Sequence, residues 1–388
     1  MKVGYFCICM AEKKNIGLVT WFGTPNYGTN LQAYALYKAL EDRGCNVKII
    51  RRFRRPFSLG NIRRNFFYAH GIRRFWKYRR DRFPAKTRSI RKFCRSEMQI
   101  ANVYTAGDLR RLLDSTDIFM AGSDQLWNCH DHFRGFEFLD FAAGKKKISY
   151  ATSIGTKEIP VDYRKKVKEY LSDFQHISIR EQSGTLSIAD ITERDDIATV
   201  LDPVLLQDKA FWERFSDAAR QVLPEMAEGY VLYYILRHSG VPDSHSGVPD
   251  RHSGVPDRHS GLDPESSLPG EMKTVIIPSG ENPNFNLPGA TIVRNAGLRE
   301  FVALVRGASL VVTDSFHGTA LAIALERPFI NLKRFSDSDV ASQNIRLRDL
   351  LERLGIENNL PIDYEAVRPR LETLRAESNA YLDKAIAD

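Results

Sequence analysis

The feature that most constrains the fold is an alternation between short apolar runs and longer segments with helical periodicity. Ile16–Trp21 is a largely apolar run typical of a buried strand, and Leu31–Arg43 follows it with apolar residues at helical spacing that stop at Gly44. Asn46–Ile50 has the pattern of a second strand. Because parallel strands need crossover connections of this kind, the order predicts a mostly parallel sheet with helices on both faces.

The alternation starts again at Tyr230–Leu236 and continues to the end of the 388-residue chain, which is too long for one typical core. We therefore predict an α/β protein with two doubly wound Rossmann-like domains that face each other across a cleft. The predicted parts are an N-terminal domain at 1–203, a linker at 204–228, a C-terminal domain at 229–362 and a closing helix at 363–388.

A tandem repeat interrupts the predicted C-terminal domain. Residues 238–265 are four seven-residue units, HSGVPDS, HSGVPDR, HSGVPDR and HSGLDPE. Each unit contains Gly and Pro, so we expect a disordered loop rather than a helix or a central strand. Its histidines are a weak basis for a metal site, because a flexible chain does not preorganise ligands. The repeat also displaces the crossover helix expected here, which predicts local damage to this domain.

The cysteines and the hydropathy bear on the compartment. Five cysteines without a CxxC pair favour reduced thiols, and they argue against a disulfide framework or a zinc site. No apolar run reaches the length of a membrane-spanning helix, and the N-terminal residues Val3–Met10 lack the pattern of a secretion signal. We expect a cytoplasmic protein.

A basic stretch stands out within the N-terminal domain. Residues 51–95 contain 17 Lys and Arg but one acid, Asp81, with aromatic residues interleaved among them. This composition favours a peripheral contact with anionic lipid at the inner membrane face, or with a lipid-linked substrate. Nucleic acid is a less favoured partner. A helical excursion with a solvated basic face explains the same composition.

Four polar clusters follow predicted strands, where doubly wound folds bind their ligands. The clusters are Gly28, Thr29 and Asn30 within 23–30; Ser123, Asp124, Gln125 and Asn128 within 122–128; Arg180, followed by Glu181; and Asp314, Ser315 and His317 within 313–318. Their shared position predicts one cleft with a wall from each domain. We therefore expect Arg180 and His317 to face each other.

Each cluster suits part of a phosphorylated donor or a sugar. The glycine turn favours phosphate, and the acid–amide pair of Asp124 and Gln125 suits sugar hydroxyls. The Arg180 guanidinium suits bidentate binding of an oxyanion. His317, at the start of a helix predicted at Gly318–Leu325, suits an anion or a general acid. Each cluster also has a plain structural interpretation as a turn, a helix cap or an ion pair with Glu181. No GxSxG elbow supports a hydrolase triad.

At these residues the chain resembles the polysaccharide pyruvyl transferase family. The resemblance extends from about residue 16 to 354, except where the repeat interrupts it at 237–272. Six motifs carry it: PNYGTNLQAYAL at 25–36, GSDQLWN at 122–128, SYATSIG at 149–155, ISIREQSG at 177–184, LDPVLL at 201–206 and VVTDSFHGTALAIALERPFI at 311–330.

The resemblance implies a fold similar to B-type glycosyltransferases and the transfer of a pyruvyl group from phosphoenolpyruvate to sugar hydroxyls as a ketal. The C-terminal domain would bind the donor and the N-terminal domain the acceptor. Arg180 matches the family's strand-end arginine, and His317 matches its motif histidine. We assign catalysis to His317, Asp124 and Asp314. Substrate binding is assigned to Arg180, Ser315, Gly28, Thr29, Asn30, Ser123, Gln125 and Asn128.

The resemblance implies no metal and no redox cofactor, with phosphoenolpyruvate as the donor substrate and a sugar as the acceptor. Three alternatives stay open at this point. One is a glycosyltransferase of the same fold that uses a nucleotide-sugar, and another is a degenerate binding protein damaged by the repeat. The third is a nucleic-acid-binding protein, which only the basic stretch suggests.

Overall fold

The computed structural model describes residues 13–52, 83–130, 133–220, 229–236, 272–280, 282–335, 343–357 and 361–388. The repeat at 238–265 and most of the basic stretch lie outside these residues. Along the described chain, β-strands and α-helices alternate as the sequence predicts. Every strand pairing within the named sheets is parallel.

The first sheet has the order β3-β2-β1-β4-β5-β6. Its strands are β1 (Asn15–Val19), β2 (Asn46–Arg52), β3 (Ile100–Val103), β4 (Ile118–Ala121), β5 (Lys146–Ser149) and β6 (Phe174–His176). Two further short strands, β7 (Ser178–Ile179) and β8 (Ala198–Thr199), pair with each other beside it. β6 and β7 are separated by Ile177 alone, yet they belong to different sheets.

The second sheet has the order β11-β10-β9-β12-β13, so its strands follow the same third-second-first-fourth-fifth arrangement as the first sheet. The strands are β9 (Tyr230–Tyr234), β10 (Lys273–Ile276), β11 (Thr291–Ile292), β12 (Ala308–Thr313) and β13 (Phe329–Asn331). Two parallel sheets with this order confirm the predicted α/β class with two doubly wound Rossmann-like units. The order reverses between β1 and β4, and again between β9 and β12.

The helices connect and cover the two sheets. In the first part of the chain they are α1 (Tyr27–Glu41), α2 (Pro84–Glu97), α3 (Ala106–Asp114), α4 (Val161–Leu171) and α5 (Gln182–Thr192). The later helices are α6 (Pro203–Leu206), α7 (Lys209–Arg220), α8 (Leu298–Gly307), α9 (Phe316–Ala324), α10 (Ile345–Leu354) and α11 (Tyr364–Ala387). None of the helices in the described part combines the length and apolar character needed to cross a bilayer.

Two predicted helix starts are wrong, and both corrections matter for the site. Helix α1 begins at Tyr27 rather than at residue 31, because the side chain of Asn26 caps it by accepting from the Thr29 N–H at 3.3 Å. Gly28, Thr29 and Asn30 consequently lie in a helical turn and not in a loop. Helix α9 begins at Phe316 rather than at residue 318, so its first turn contains His317.

The predicted linker at 204–228 contains most of α6 and all of α7, and both helices pack closely. Trp212 is fully buried, and its indole N–H donates to the carbonyl of Val204 at 2.9 Å. One hydrophobic cluster includes residues of both sheets together with α1 and α6 through α9. The two halves therefore share a core. The exact domain boundaries stay a prediction, although the two sheets fall on opposite sides of the predicted linker.

The closing helix α11 crosses back to the first half of the chain. Its Ser378 accepts from the Leu201 N–H at 2.9 Å, and its Tyr381 hydroxyl donates to the carbonyl of Ser149 at 2.8 Å. These contacts fasten the chain end beside β5 and the β8–α6 connection. They give the predicted C-terminal helix a role in holding the two halves together.

The predicted damage to the second half does not extend to its sheet. Strands β9 and β10 pair in parallel over four residues, from Tyr230 opposite Lys273 to Tyr233 opposite Ile276. The crossover between them, with the repeat, lies outside the described residues.

Candidate active site

His317 lies in the first turn of α9, just beyond the carboxyl end of β12. The helix begins there because the Ser315 hydroxyl caps it, accepting from the Gly318 N–H at 3.2 Å. The His317 ring packs against Gly28 in the first turn of α1, where any Cβ atom would overlap the ring. Two helix N-termini, one from each half, thus meet at His317. Their dipoles favour an anion at this point.

Asp202 is the residue that joins the two halves. It follows β8, and its Oδ2 accepts from Arg180 Nη1 at 2.6 Å and from the Ser123 hydroxyl at 3.2 Å. His317 Nε2 lies 3.4 Å from the same oxygen. Oδ1 accepts from the Val204 N–H at 2.9 Å and so caps α6. All the polar contacts of His317 with the first half therefore converge on one carboxylate and its arginine.

The charges around Asp202 keep it ionised. Burial alone raises the pKa of a carboxyl, but the charge of His317, its hydrogen bond and the charge of Arg180 outweigh burial and hold the pKa of Asp202 well below its usual range. The carboxylate is thus an anion at neutral pH, inside a site that excludes water.

Arg180 extends from the carboxyl end of β7 into the space between the halves. Only 5% of the residue is exposed, and its Cζ stacks 4.2 Å above the ring centre of Phe316. Nη1 is bonded to Asp202 and lies 3.5 Å from His317 Nε2. Nε and Nη2 are buried without a hydrogen-bond partner. Because buried N–H groups are nearly always paired, this free edge suits a bidentate oxyanion ligand.

Glu181 is a second buried carboxyl beside Arg180, but its environment differs. Its Oε1 accepts from the Ser153 hydroxyl at 2.9 Å and from the Ile154 N–H at 2.8 Å, while Oε2 has no hydrogen-bond partner and lies 3.9 Å from Arg180 Nε. Burial raises the pKa of Glu181, and the charges of Arg180 and Arg346 oppose this only in part. Two neighbouring carboxyls, Glu181 and Asp202, consequently have pKa shifts of opposite sign.

Asp124 occupies the turn after β4. Its φ is 79°, a left-handed conformation that is uncommon for a residue other than glycine. One carboxylate oxygen accepts from the Thr29 hydroxyl at 2.9 Å and the other from the Gln125 N–H at 2.9 Å. The strained backbone therefore holds the carboxylate against the first turn of α1, on the same wall as Ser123.

Arg346 reaches the site from α10 in the second half. It is 6% exposed, and its Nη2 donates to Gln343 Oε1 at 2.8 Å. Its Nη1 lies 3.0 Å from the Gln125 carboxamide when the amide oxygen faces it. Its Cζ lies 5.7 Å from the ring centre of Phe316. Burial lowers the pKa of Arg346 to about 9, and the nearby charge of Arg180 contributes to this shift.

A cleft of about 1320 Å³ opens between the two halves. Its first wall includes His130 and the loop around Thr156, and its second wall includes Asp314, Phe316 and Arg346. Arg180, Asp202 and His317 do not line this cleft; they lie behind Phe316 and Arg346. The charged cluster is therefore buried beneath side chains that line the cleft.

The structure brings seven of the predicted site residues into or against one cluster: Gly28, Thr29, Ser123, Asp124, Gln125, Arg180 and His317. Their chemical roles stay predictions. Other predicted site residues are held by the fold itself. The Asn30 carboxamide accepts from the Gly23 N–H at 2.7 Å and donates to the carbonyl of Thr24 at 2.9 Å, so it shapes the turn before α1. Ser315 caps α9.

Two further predicted residues also have structural partners. Asp314 accepts from the Leu236 N–H at 2.6 Å and so fixes the end of β9, although it also lines the cleft. Asn128 accepts from the His130 N–H at 3.1 Å and contacts the Gln125 carboxamide at 2.8 Å. Both residues support the walls of the cleft more directly than they support the cluster.

The sequence patterns did not predict a place in the site for Asp202, Phe316 or Arg346, and they indicated Glu181 only as an ion-pair partner. A signal existed for Asp202, because an Asp-Pro pair after a predicted strand indicates a helix cap at a sheet edge. Arg346 had no such signal, since it lies in a helix among other arginines. Within the residues that the structure describes, no group of three or more His, Cys, Asp or Glu side chains could hold a metal ion.

A model of the family described as polysaccharide pyruvyl transferase matches residues 26–334, which is most of the chain. No curated protein matches the sequence.

One solved structure with a similar course of the chain is UDP-GlcNAc 2-epimerase from Methanocaldococcus jannaschii. It is 12% identical in sequence, the match covers 94% of this chain and 100% of that chain, and the TM-score is 0.45. MnaA from S. aureus has 9% identity, coverage of 97% and 91%, and a TM-score of 0.49. Anabaena HepE has 9% identity, coverage of 95% of each chain and a TM-score of 0.43.

Proposed function

We propose a reaction for this chain from one premise: it belongs to the polysaccharide pyruvyl transferase family, which is a family of enzymes. The proposed donor is phosphoenolpyruvate, and the proposed product is a pyruvate ketal on two hydroxyls of a sugar. The observation that carries the proposal is the buried guanidinium of Arg180. Its Nη1 lies 3.5 Å from His317 Nε2, and its Nε and Nη2 make no hydrogen bond. A carboxylate or phosphate of the donor would pair with that edge.

The proposed reaction needs a proton donor, an anion site and a proton acceptor. His317 gives a proton to the methylene carbon of the donor, which becomes a methyl group and leaves an electron-deficient carbon. A sugar hydroxyl adds to that carbon. The bond between the same carbon and the phosphate oxygen then breaks, and phosphate departs. The second sugar hydroxyl adds to the carbon in the place of the phosphate. Of the two hydroxyl protons, one replaces the proton lost from His317 and the other leaves with the phosphate.

The geometry supports these roles. Asp202, ionised because its pKa is lowered, lies 3.4 Å from His317 Nε2 and restrains the orientation of the ring. Asp124 is a carboxylate on the opposite wall, fastened to Thr29 and suited to accept a hydroxyl proton. Because the whole cluster is buried, the charges act with little screening by water.

The decisive experiment is phosphate release from phosphoenolpyruvate against a panel of lipid-linked and nucleotide-linked sugars, with His317→Ala as the control. We expect release with at least one acceptor by the wild type and loss of that release in the variant. Thermal stabilisation by a nucleotide-sugar, without any stabilisation by phosphoenolpyruvate, would instead favour a glycosyltransferase and sink the proposal.

We also propose that the acceptor is lipid-linked and that the chain meets anionic membrane at the inner face. The support is the basic composition of residues 51–95, of which the structure describes α2 and little else. Binding to vesicles that contain anionic lipid, at moderate salt, tests this contact. Charge reversal at Arg73, Arg74, Arg79 and Arg80 should abolish the binding, and unchanged binding would refute it.

A further inference from the structure

We infer that Arg346 is the second cationic ligand of the donor, so that an oxyanion of the donor is held between guanidinium groups from the two halves of the molecule. The inference rests on the proposed function, because it names how the proposed donor is gripped. Arg180 provides one guanidinium from the end of β7, and Arg346 provides the other from α10.

Both guanidinium groups lie close to the ring of Phe316. Arg180 Cζ lies 4.2 Å from the ring centre and Arg346 Cζ lies 5.7 Å from it. Both side chains are more than nine-tenths buried. Two buried like charges repel each other, and their repulsion is part of what lowers the pKa of Arg346. An anion between them would remove this repulsion and would pair the free edge of Arg180.

The charge of the cluster shows why one arginine is insufficient. Asp124, Glu181 and Asp202 contribute three carboxyl groups around Arg180. An anionic donor bound by Arg180 alone would enter a site with more carboxyls than permanent cations, and its binding would be weak. The Arg346 guanidinium, which is near Asp124 and Glu181 as well, adds a second permanent cation and so reduces this excess.

Arg346 also has the right position along the path of a ligand. It lines the cleft, whereas Arg180 lies behind it. Its helix is fastened to the first half by Asp349, which accepts from the Ser183 N–H at 3.0 Å and from the Ser183 hydroxyl at 2.9 Å. Helix α10 thus holds Arg346 in place at the inner end of the cleft, and little rearrangement is needed for it to meet the donor.

The test compares Arg346→Gln and Arg346→Lys with Arg353→Gln. Arg353 is a matched control, because it lies on the same helix and also reaches the first half, where it contacts the carbonyl of Thr199 at 3.5 Å, but it does not line the cleft. For each protein, calorimetry with phosphoenolpyruvate and with inorganic phosphate gives affinities. Phosphate release gives KM and kcat, and circular dichroism checks folding.

We expect Arg346→Gln to weaken phosphoenolpyruvate binding and raise KM by about 10- to 100-fold, the range for a lost hydrogen bond to a charged group. Arg346→Lys should recover part of the affinity, and Arg353→Gln should stay within about twofold of the wild type in KM. A folded Arg346→Gln protein with wild-type affinity and KM would overturn the inference while the proposed function stands. A wild type that binds no phosphoenolpyruvate would overturn both.

Discussion

The two sheets have the same strand order, yet the turns at their equivalent edges present opposite chemistry. The fourth strand of the first half, β4, ends in a strained turn that presents the carboxylate of Asp124. The fourth strand of the second half, β12, leads directly into a capped helix that presents His317. Both positions lie where the strand order reverses, so each sheet has its binding edge there.

The two halves therefore contribute different chemical groups to the site. The first half contributes three carboxyls, Asp124, Glu181 and Asp202, and a single buried arginine, Arg180. The second half contributes His317, Phe316 and Arg346. The carboxyls of the first set outnumber its arginine, and the two sets meet at Asp202. Substitutions at Arg180, His317 and Gly28 and the titration of the carboxyls can test this division.

Removing Arg180 should have the largest effect, because it leaves Asp202 as a buried charge without its closest cationic partner. We expect Arg180→Met to destabilise the fold by about 3–5 kcal/mol and to abolish phosphate release. Urea unfolding followed by circular dichroism measures the first effect.

The double variant Arg180→Met, Asp202→Asn is the control for that prediction. It should recover much of the stability, since the uncompensated charge is gone, and none of the activity. Recovery of phosphate release together with stability would show that Arg180 serves the fold alone and would break the proposed division.

The second prediction concerns His317, the residue of the second half that we propose as the proton donor. His317→Gln should lower kcat by about 10²- to 10⁴-fold, the usual contribution of a general acid. The unfolding free energy should change by less than about 1 kcal/mol, because an amide can retain a hydrogen bond to Asp202. An unaltered kcat would remove His317 from the mechanism.

The third prediction tests the contact between the helix starts. Gly28→Ala places a methyl group against the His317 ring and should cost about 1–3 kcal/mol by overpacking, with a parallel loss of activity as the ring moves. Gly107→Ala is the matched control, because its added carbon meets nothing closer than 3.7 Å and should be neutral or slightly stabilising. Equal effects of the two variants, by thermal unfolding, would contradict a close contact at Gly28.

The smallest effects should appear in the pH dependence of stability. The pKa of Asp202 is lower in the folded than in the unfolded protein. Its contribution to stability is therefore present above the unfolded-state pKa, near pH 4, and is lost as the pH falls toward the folded-state pKa. The pKa of Glu181 is higher in the folded than in the unfolded protein. Its contribution to stability is therefore present below about pH 4 and is lost as the pH rises through the folded-state pKa.

Unfolding free energies of the wild type, Asp202→Asn and Glu181→Gln between pH 3 and 8 measure this difference. The advantage of the wild type over Asp202→Asn should shrink toward low pH. Relative to Glu181→Gln, the wild type should lose stability toward high pH. Parallel curves for all three proteins would show that the two carboxyls do not titrate differently.

Much of the molecule could be predicted from the sequence because its signals are local. Apolar runs and helical spacing predicted the strands and helices and their order along the chain. The predicted strand ends then indicated Arg180, Asp124 and His317 as site residues. The helix starts were placed too late, because the Asn26 and Ser315 caps act through single hydrogen bonds that periodicity does not report. Asn30 looked like a ligand residue because a buried amide that braces a turn has the same local pattern.

Local sequence patterns are sufficient to specify the fold class, the family and the placement of the charged residues after the strands. Only the tertiary structure decided which of them meet: Arg180 and His317 are 137 residues apart in the chain, yet their side chains lie 3.5 Å apart. The cause is the packing of α1 and α6 against α9, where Gly28 allows the close approach of His317 and Asp202 contacts both Arg180 and His317. Arg346 entered the site in the same way, because the docking of α10 onto the first half sets its position, and no local pattern specifies that docking.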